Sequence, residues 1–119
     1  MKTSELTGAA LDWAVAKCEE VGGQAYLRED PNPASRIGAK ILYDPLNDAY
    51  LCYSTNWAQG GPIIEREKIC LVGMSKGGWK ASIGQQDYSF ASETPLLAAM
   101  RCYVASKLGD EVEIPEELL

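Results

Sequence analysis

Apolar residues at three- and four-residue steps open the chain: Leu6, Ala10, Trp13, Ala14 and Val21, with Lys17 on the same stripe. Glu5, Asp12, Glu19 and Glu20 fall largely off it, so the spacing predicts an amphipathic helix over residues 5–21. Ser4 or Thr3 can cap its start, and Gly22-Gly23 can stop it. Trp13 sits on the apolar stripe, which points to the core rather than to a ligand. A second stripe runs through Leu96, Leu97, Met100, Tyr103, Val104, Lys107 and Leu108. Thr94 supplies a cap, Pro95 the first helical position and Gly109 a stop, which predicts a helix over residues 95–108. Arg101 and Lys107 lie in its C-terminal half, where the helix dipole favours cations.

Between the helices the period shortens. "QAYL" (24–27) reads as a short strand, and "REDPNPASRIGAK" (28–40) as a loop with two prolines. "KILY" and "YLCY" flank the turn "DPLND", and "ICLVGM" and "WKASI" flank "SKGG"; both read as hairpins. The tail "DEVEIPEELL" alternates acid and aliphatic, as a short edge strand or an extended segment does. The expected fold is a single α+β domain over residues 1–119. It is an α/β sandwich in which N-terminal and C-terminal helices pack on a mainly antiparallel, short-stranded sheet.

The chain's 46 % apolar and 24 % charged residues are those of an ordinary soluble domain. Eleven basic residues against 17 acidic ones leave a net charge of −6, which argues against non-specific nucleic-acid binding. No apolar run is long enough to cross a membrane, and "MKTSELTG" lacks the apolar stretch of a secretory signal, so the expected compartment is the cytoplasm. The four cysteines are widely separated among apolar neighbours, which reads as buried reduced thiols. Without histidine or a CxxC pair, no metal site is expected. No GxSxG or phosphate-loop pattern occurs, and no catalytic residue or cofactor is assigned. The chain reads as a non-enzyme.

The stretch "YSTNWAQGGPIIEREKI" (53–69) carries the candidate chemistry. As plain structure it is a kinked helix: Ser54, Thr55 or Asn56 caps a first turn, Gly60 and Gly61 break it, and Pro62 starts a second segment. As a binding loop, Trp57 offers a face for stacking a base, and Gly60-Gly61 lets a ligand approach the backbone. Arg66 supplies a cation for a phosphate or carboxylate, and Arg36 or Lys40 a second one against Glu65 and Glu67. The ligand this set suggests is small, anionic and nucleotide-like. The alternating tail and the hairpin tip also offer edges for a second copy, so a homodimer is expected.

"MKTSELTGAALDWAVAK", "YSTNWAQGGPIIEREKI" and "TPLLAAMRCYVASKLGDEV" together resemble the NinX-like family of small tailed-phage and prophage proteins. Their order is also similar to a phage domain described as an α/β/α sandwich. The resemblance implies a phage accessory protein in the bacterial host cytoplasm, with no activity to carry over. Such genes often counter host defence, which suggests two modes of action. One is sequestration of a nucleotide-derived immune signal. The other is an acidic protein-binding module that inhibits a host defence protein.

Overall fold

The computed structural model describes residues 1–35 and 38–119, with the side chains of residues 86–91 outside that description. Among the described residues, three α-helices each separated by three strands follow one another: α1 (Gly8–Cys18), β1 (Tyr26–Glu29), β2 (Lys40–Asp44), β3 (Ala49–Leu51), α2 (Trp57–Glu67), β4 (Ile69–Gly73), β5 (Trp79–Ile83), β6 (Gln86–Ser92) and α3 (Pro95–Leu108). The expected α+β class and both hairpins are present. The strands form two antiparallel three-stranded sheets, β1-β2-β3 and β4-β5-β6, where one sheet was expected. Strand β6 had no counterpart in the sequence reading.

Helix α1 rests on β2 and β3, α3 rests on all three strands of the second sheet, and the two helices pack on each other. Both helices therefore lie between sheets, unlike the outer helices of an α/β/α sandwich. That position explains why their stripes are wider than periodicity suggested. A helix covered on two sides must be apolar on both. Accordingly, α1 buries Leu11, Val15 and Ala16 as well as Ala10 and Ala14, and α3 buries nine residues from Leu96 to Ala105. Trp13 is half-buried at the seam of two clusters, one around Leu11, Met100 and Val104, the other around Leu42, Leu51 and Leu118.

Three local expectations are corrected. Helix α1 starts after Thr7, not near residue 5, because Thr3 and Ser4 form a 3-10 turn and the Thr3 hydroxyl donates to the Gly109 carbonyl at 2.7 Å. It also stops at Cys18, before the glycine pair, and leaves Val21 37 % exposed. Arg101, expected to answer the helix dipole, is buried and bonded elsewhere: its Nε donates to the Leu6 carbonyl at 2.8 Å and Nη1 to Ser92 Oγ at 3.0 Å. The four cysteines are not uniformly buried: Cys102 is buried, Cys18 and Cys52 are half-buried and Cys70 is exposed. The tail bridges Lys2 through Glu111 and ends in a 3-10 turn that buries Leu118.

Helix α2 is one continuous element, with Gly60, Gly61 and Pro62 inside it. Asn56 caps it, its Oδ1 accepting from the Ala58 N–H at 2.8 Å. Proline in a helix interior is costly, and tertiary contacts offset that cost. Ile63 enters the core, and Gln59 ties the helix to β3 by accepting from Cys52 N–H at 2.7 Å and donating to the Tyr50 carbonyl at 2.8 Å. Gly60 is where α2 meets α3: a Cβ there would lie 2.5 Å from Leu96 Cδ1 and 2.7 Å from the Tyr53 carbonyl oxygen. The missing side chain lets the two helices approach there.

Candidate functional site

The starts of all three helices meet at one cleft of about 390 Å³. Thr7 and Gly8 line it from α1, Ser54, Thr55 and Trp57 from the entry to α2, and Glu93 and Thr94 from the entry to α3; Leu96 and Leu97 add an apolar wall. The volume falls within the roughly 300–1,000 Å³ of small-molecule sites. Each helix start carries partial positive charge from unpaired N–H groups, about half an elementary charge. Asn56 caps α2, and Thr94 caps α3 by accepting from the Leu97 N–H at 3.1 Å. The start of α1 differs. Thr7 sits in the cap position without a side-chain cap bond, and Gly8 holds a φ of +55° with open space around it.

Trp57 is 52 % exposed at this cleft. Ser54 lines the cleft with 5 % exposure, and its hydroxyl makes no hydrogen bond of acceptable geometry. That hydroxyl lies near enough to Asp12 to help lower its pKa, and the Ser54 N–H donates to Asp12 Oδ1 at 2.8 Å. Burial outweighs both effects and pushes the Asp12 carboxyl up to about 6. Asp12, taken from the sequence as a surface acid, is 6 % exposed.

A smaller cavity of about 160 Å³ adjoins the cleft and shares Gly8 and Thr55 with it. Asp12, Asp30, Lys40 and Cys52 line it. Burial, then the nearby Asp12 and Asp30 carboxylates, push the Cys52 thiol up to about 11, so it stays protonated near neutrality. Asp30 is held below its ordinary value, chiefly by the Ser35 hydroxyl at 2.6 Å.

The proposed ligand-binding residues therefore separate. Trp57 is in the cleft. Lys40 is in the neighbouring cavity, Gly60 is packed against Leu96, and Gly61 faces open space. Arg36 lies outside the described residues. Arg66 stands nine positions along α2 from Trp57, about 13 Å at 1.5 Å per residue. Its guanidinium is engaged elsewhere: Nη1 and Nη2 donate to Glu19 at 3.0 and 2.6 Å, Nε to Glu67 at 2.9 Å and Nη2 to the Tyr103 hydroxyl at 3.1 Å. Hydrogen bonds from Arg66 first, then from Tyr103, hold the Glu19 carboxyl below its usual range. Arg66 thus clamps α2 to α1 and α3 and does not join Trp57 in one pocket.

Thr7, Gly8, Ser54, Glu93 and Thr94 were missed as site residues. Each belongs to a helix-start signature (Thr-Gly, Ser-Thr-Asn, Glu-Thr-Pro), and one-dimensional signatures carry no sign that their helices converge. The cleft offers backbone donors, an aromatic face and one rim carboxylate, which is binding chemistry. Among the described residues, no group of three or more potential ligating side chains can hold a metal ion. No described helix is long and apolar enough to cross a membrane. The family model described as "Bacteriophage P22, NinX" matches residues 2–107. No curated protein matches the chain.

Proposed function

The chain belongs to the bacteriophage P22 NinX family, and from this premise we propose that it is a phage accessory protein that sequesters a small, nucleotide-derived anionic signal and so counters host defence. The observation that carries the reading is Trp57, half-exposed at a cleft where three helices begin. The anionic part of the ligand belongs at the uncapped start of α1, where N–H groups face it without a competing side chain. The base belongs on the Trp57 ring. A base–aromatic stack contributes about 1–3 kcal/mol, and each hydrogen bond to a charged group about 1.5–3 kcal/mol. A stack with two such hydrogen bonds sums to about 4–9 kcal/mol, so micromolar affinity, which needs about 8 kcal/mol, calls for contacts at the strong end of these ranges in a preformed cleft. On this reading the protein acts by retention, not turnover.

The test is to incubate purified protein with extracts of infected, defence-bearing cells, then denature it and identify the released molecules by mass spectrometry. Wild type releases a nucleotide-like anion that Trp57→Ala does not retain. Equal release from both, or none from either, overturns the reading.

One feature favours the second mode, inhibition of a host protein. Tyr26, Tyr43 and Tyr50 face one another across the register of β1-β2-β3, with neighbouring ring centroids 5.7 and 5.3 Å apart. The Arg28 guanidinium lies 4.3 Å from the Tyr43 centroid. Tyrosine and arginine dominate interface hot spots. Stoichiometric recovery of one host protein, lost in Tyr26→Ala/Arg28→Ala, supports this second mode, and its survival in that variant overturns it.

A further inference from the structure

We propose that the cleft selects its nucleotide by base, and that Glu93 makes it a guanine site; this rests on the cleft binding a nucleotide at all. Glu93 is exposed and shares the cleft with Trp57. At a site built around three helix starts, a carboxylate is the wrong charge for the anionic part of any ligand. The dipole of α3 and the nearby Arg101 charge account for an acid just before the Thr94 cap, and a ligand in the cleft would meet that acid with its uncharged end.

An ionised carboxylate only accepts hydrogen bonds, through two parallel oxygens. It therefore matches a ligand edge that presents two adjacent donors. Among the common bases, guanine has that edge, in its ring N1–H and exocyclic N2–H₂. Adenine and cytosine place a ring acceptor beside the amine, and uracil flanks its one N–H with two carbonyls. Each of these sets a lone pair against a carboxylate oxygen. Mismatch of this kind is how polar sites reject near neighbours.

The cleft's other parts fit the same orientation. Trp57 supplies the face on which the ring lies, and Thr7-Gly8 the backbone donors for phosphate, with Gly8 open to close approach. The two ends of the ligand thus meet opposite chemistry: donors at α1 and an acceptor at the start of α3.

The experiment is calorimetric titration of the full chain with guanosine, adenosine, cytidine and uridine 5′-monophosphates and with inorganic phosphate. It is repeated on Glu93→Gln and Glu93→Ala. Wild type binds the guanosine nucleotide at least tenfold tighter than the other three. Glu93→Gln, whose amide keeps one acceptor but turns an N–H₂ toward a donor edge, loses that preference while its affinity for the adenosine nucleotide holds or rises. Equal binding of all four by wild type, or an undiminished guanine preference in both variants, overturns the base assignment and leaves the nucleotide reading standing. Binding of none of the four overturns both.

Discussion

Asp12 shows how far a residue's surroundings can override its type. Its carboxyl lies beneath the β3–α2 junction, and burial pushes its pKa from the ordinary 3.8 up to about 6. A carboxyl whose pKa is raised by folding binds its proton more tightly in the folded state. The stability it contributes is therefore full below pH 3.8 and lost as pH rises toward 6, by about 2–3 kcal/mol in all. Asp12→Asn keeps an acceptor for the Ser54 N–H and removes the charge. Urea melts of the variant should be flatter than wild type between pH 4 and 6, and at least as stable at pH 7. An unchanged slope contradicts the burial argument. Glu19 runs the other way: its pKa is lowered, so its contribution is present above its ordinary 4.5 and is lost as pH falls through the folded value. Arg66→Ala should weaken that acid limb and cost about 1 kcal/mol, the scale of a half-exposed ion pair. It should leave nucleotide affinity unchanged, because Arg66 belongs to the Glu19–Tyr103 clamp. A tenfold loss of affinity in Arg66→Ala would return it to the site.

At the scale of elements, α2 carries the sharpest contrast. Gly60 and Gly61 are adjacent and look alike in sequence, yet a methyl at Gly60 meets Leu96 and the Tyr53 carbonyl while one at Gly61 meets nothing. Gly60→Ala should destabilise by about 1–3 kcal/mol, the range of overpacking. Gly61→Ala should stabilise by about 0.5–1 kcal/mol, the helix-propensity difference. Thermal melts that rank the two variants in the opposite order contradict the packing of α2 on α3. This contrast also marks what was legible in the sequence. The Thr94 cap, the Pro95 start and both hairpins follow local rules, and local rules were enough; for α2 they narrowed the cap to Ser54, Thr55 or Asn56, of which Asn56 makes the bond. The unbroken course of α2 through Gly60-Gly61-Pro62 was not legible, since Gln59 and Ile63 hold it by tertiary contacts that leave no local trace. The same holds for the double-sided burial of α1 and α3. Periodicity reports one apolar face well, and a second face blurs it.

For the whole molecule, the topology turns three separate cap signatures into one cleft. The net charge of −6 makes a local site for an anion all the more dependent on fixed dipoles, because long-range attraction works against it. Of the candidate site, Trp57 was readable from its company of glycine and polar residues. Thr7, Ser54 and Glu93 were not, since only the packing of α1 and α3 brings positions so far apart in sequence to one place. Trp57→Ala should lower nucleotide affinity at least tenfold, about 1.4 kcal/mol. Its effect on stability should stay within about 0.5 kcal/mol, as for surface substitutions. The most direct test of the central claim is amide and indole chemical-shift mapping by NMR during titration with guanosine 5′-monophosphate. The account predicts saturable shifts at Gly8 to Ala10, Thr55 to Trp57 with its indole N–H, and Thr94, while Arg66 and Glu19 stay still. Absence of shifts, or shifts gathered on the Tyr26–Tyr43–Tyr50 face instead, would contradict it.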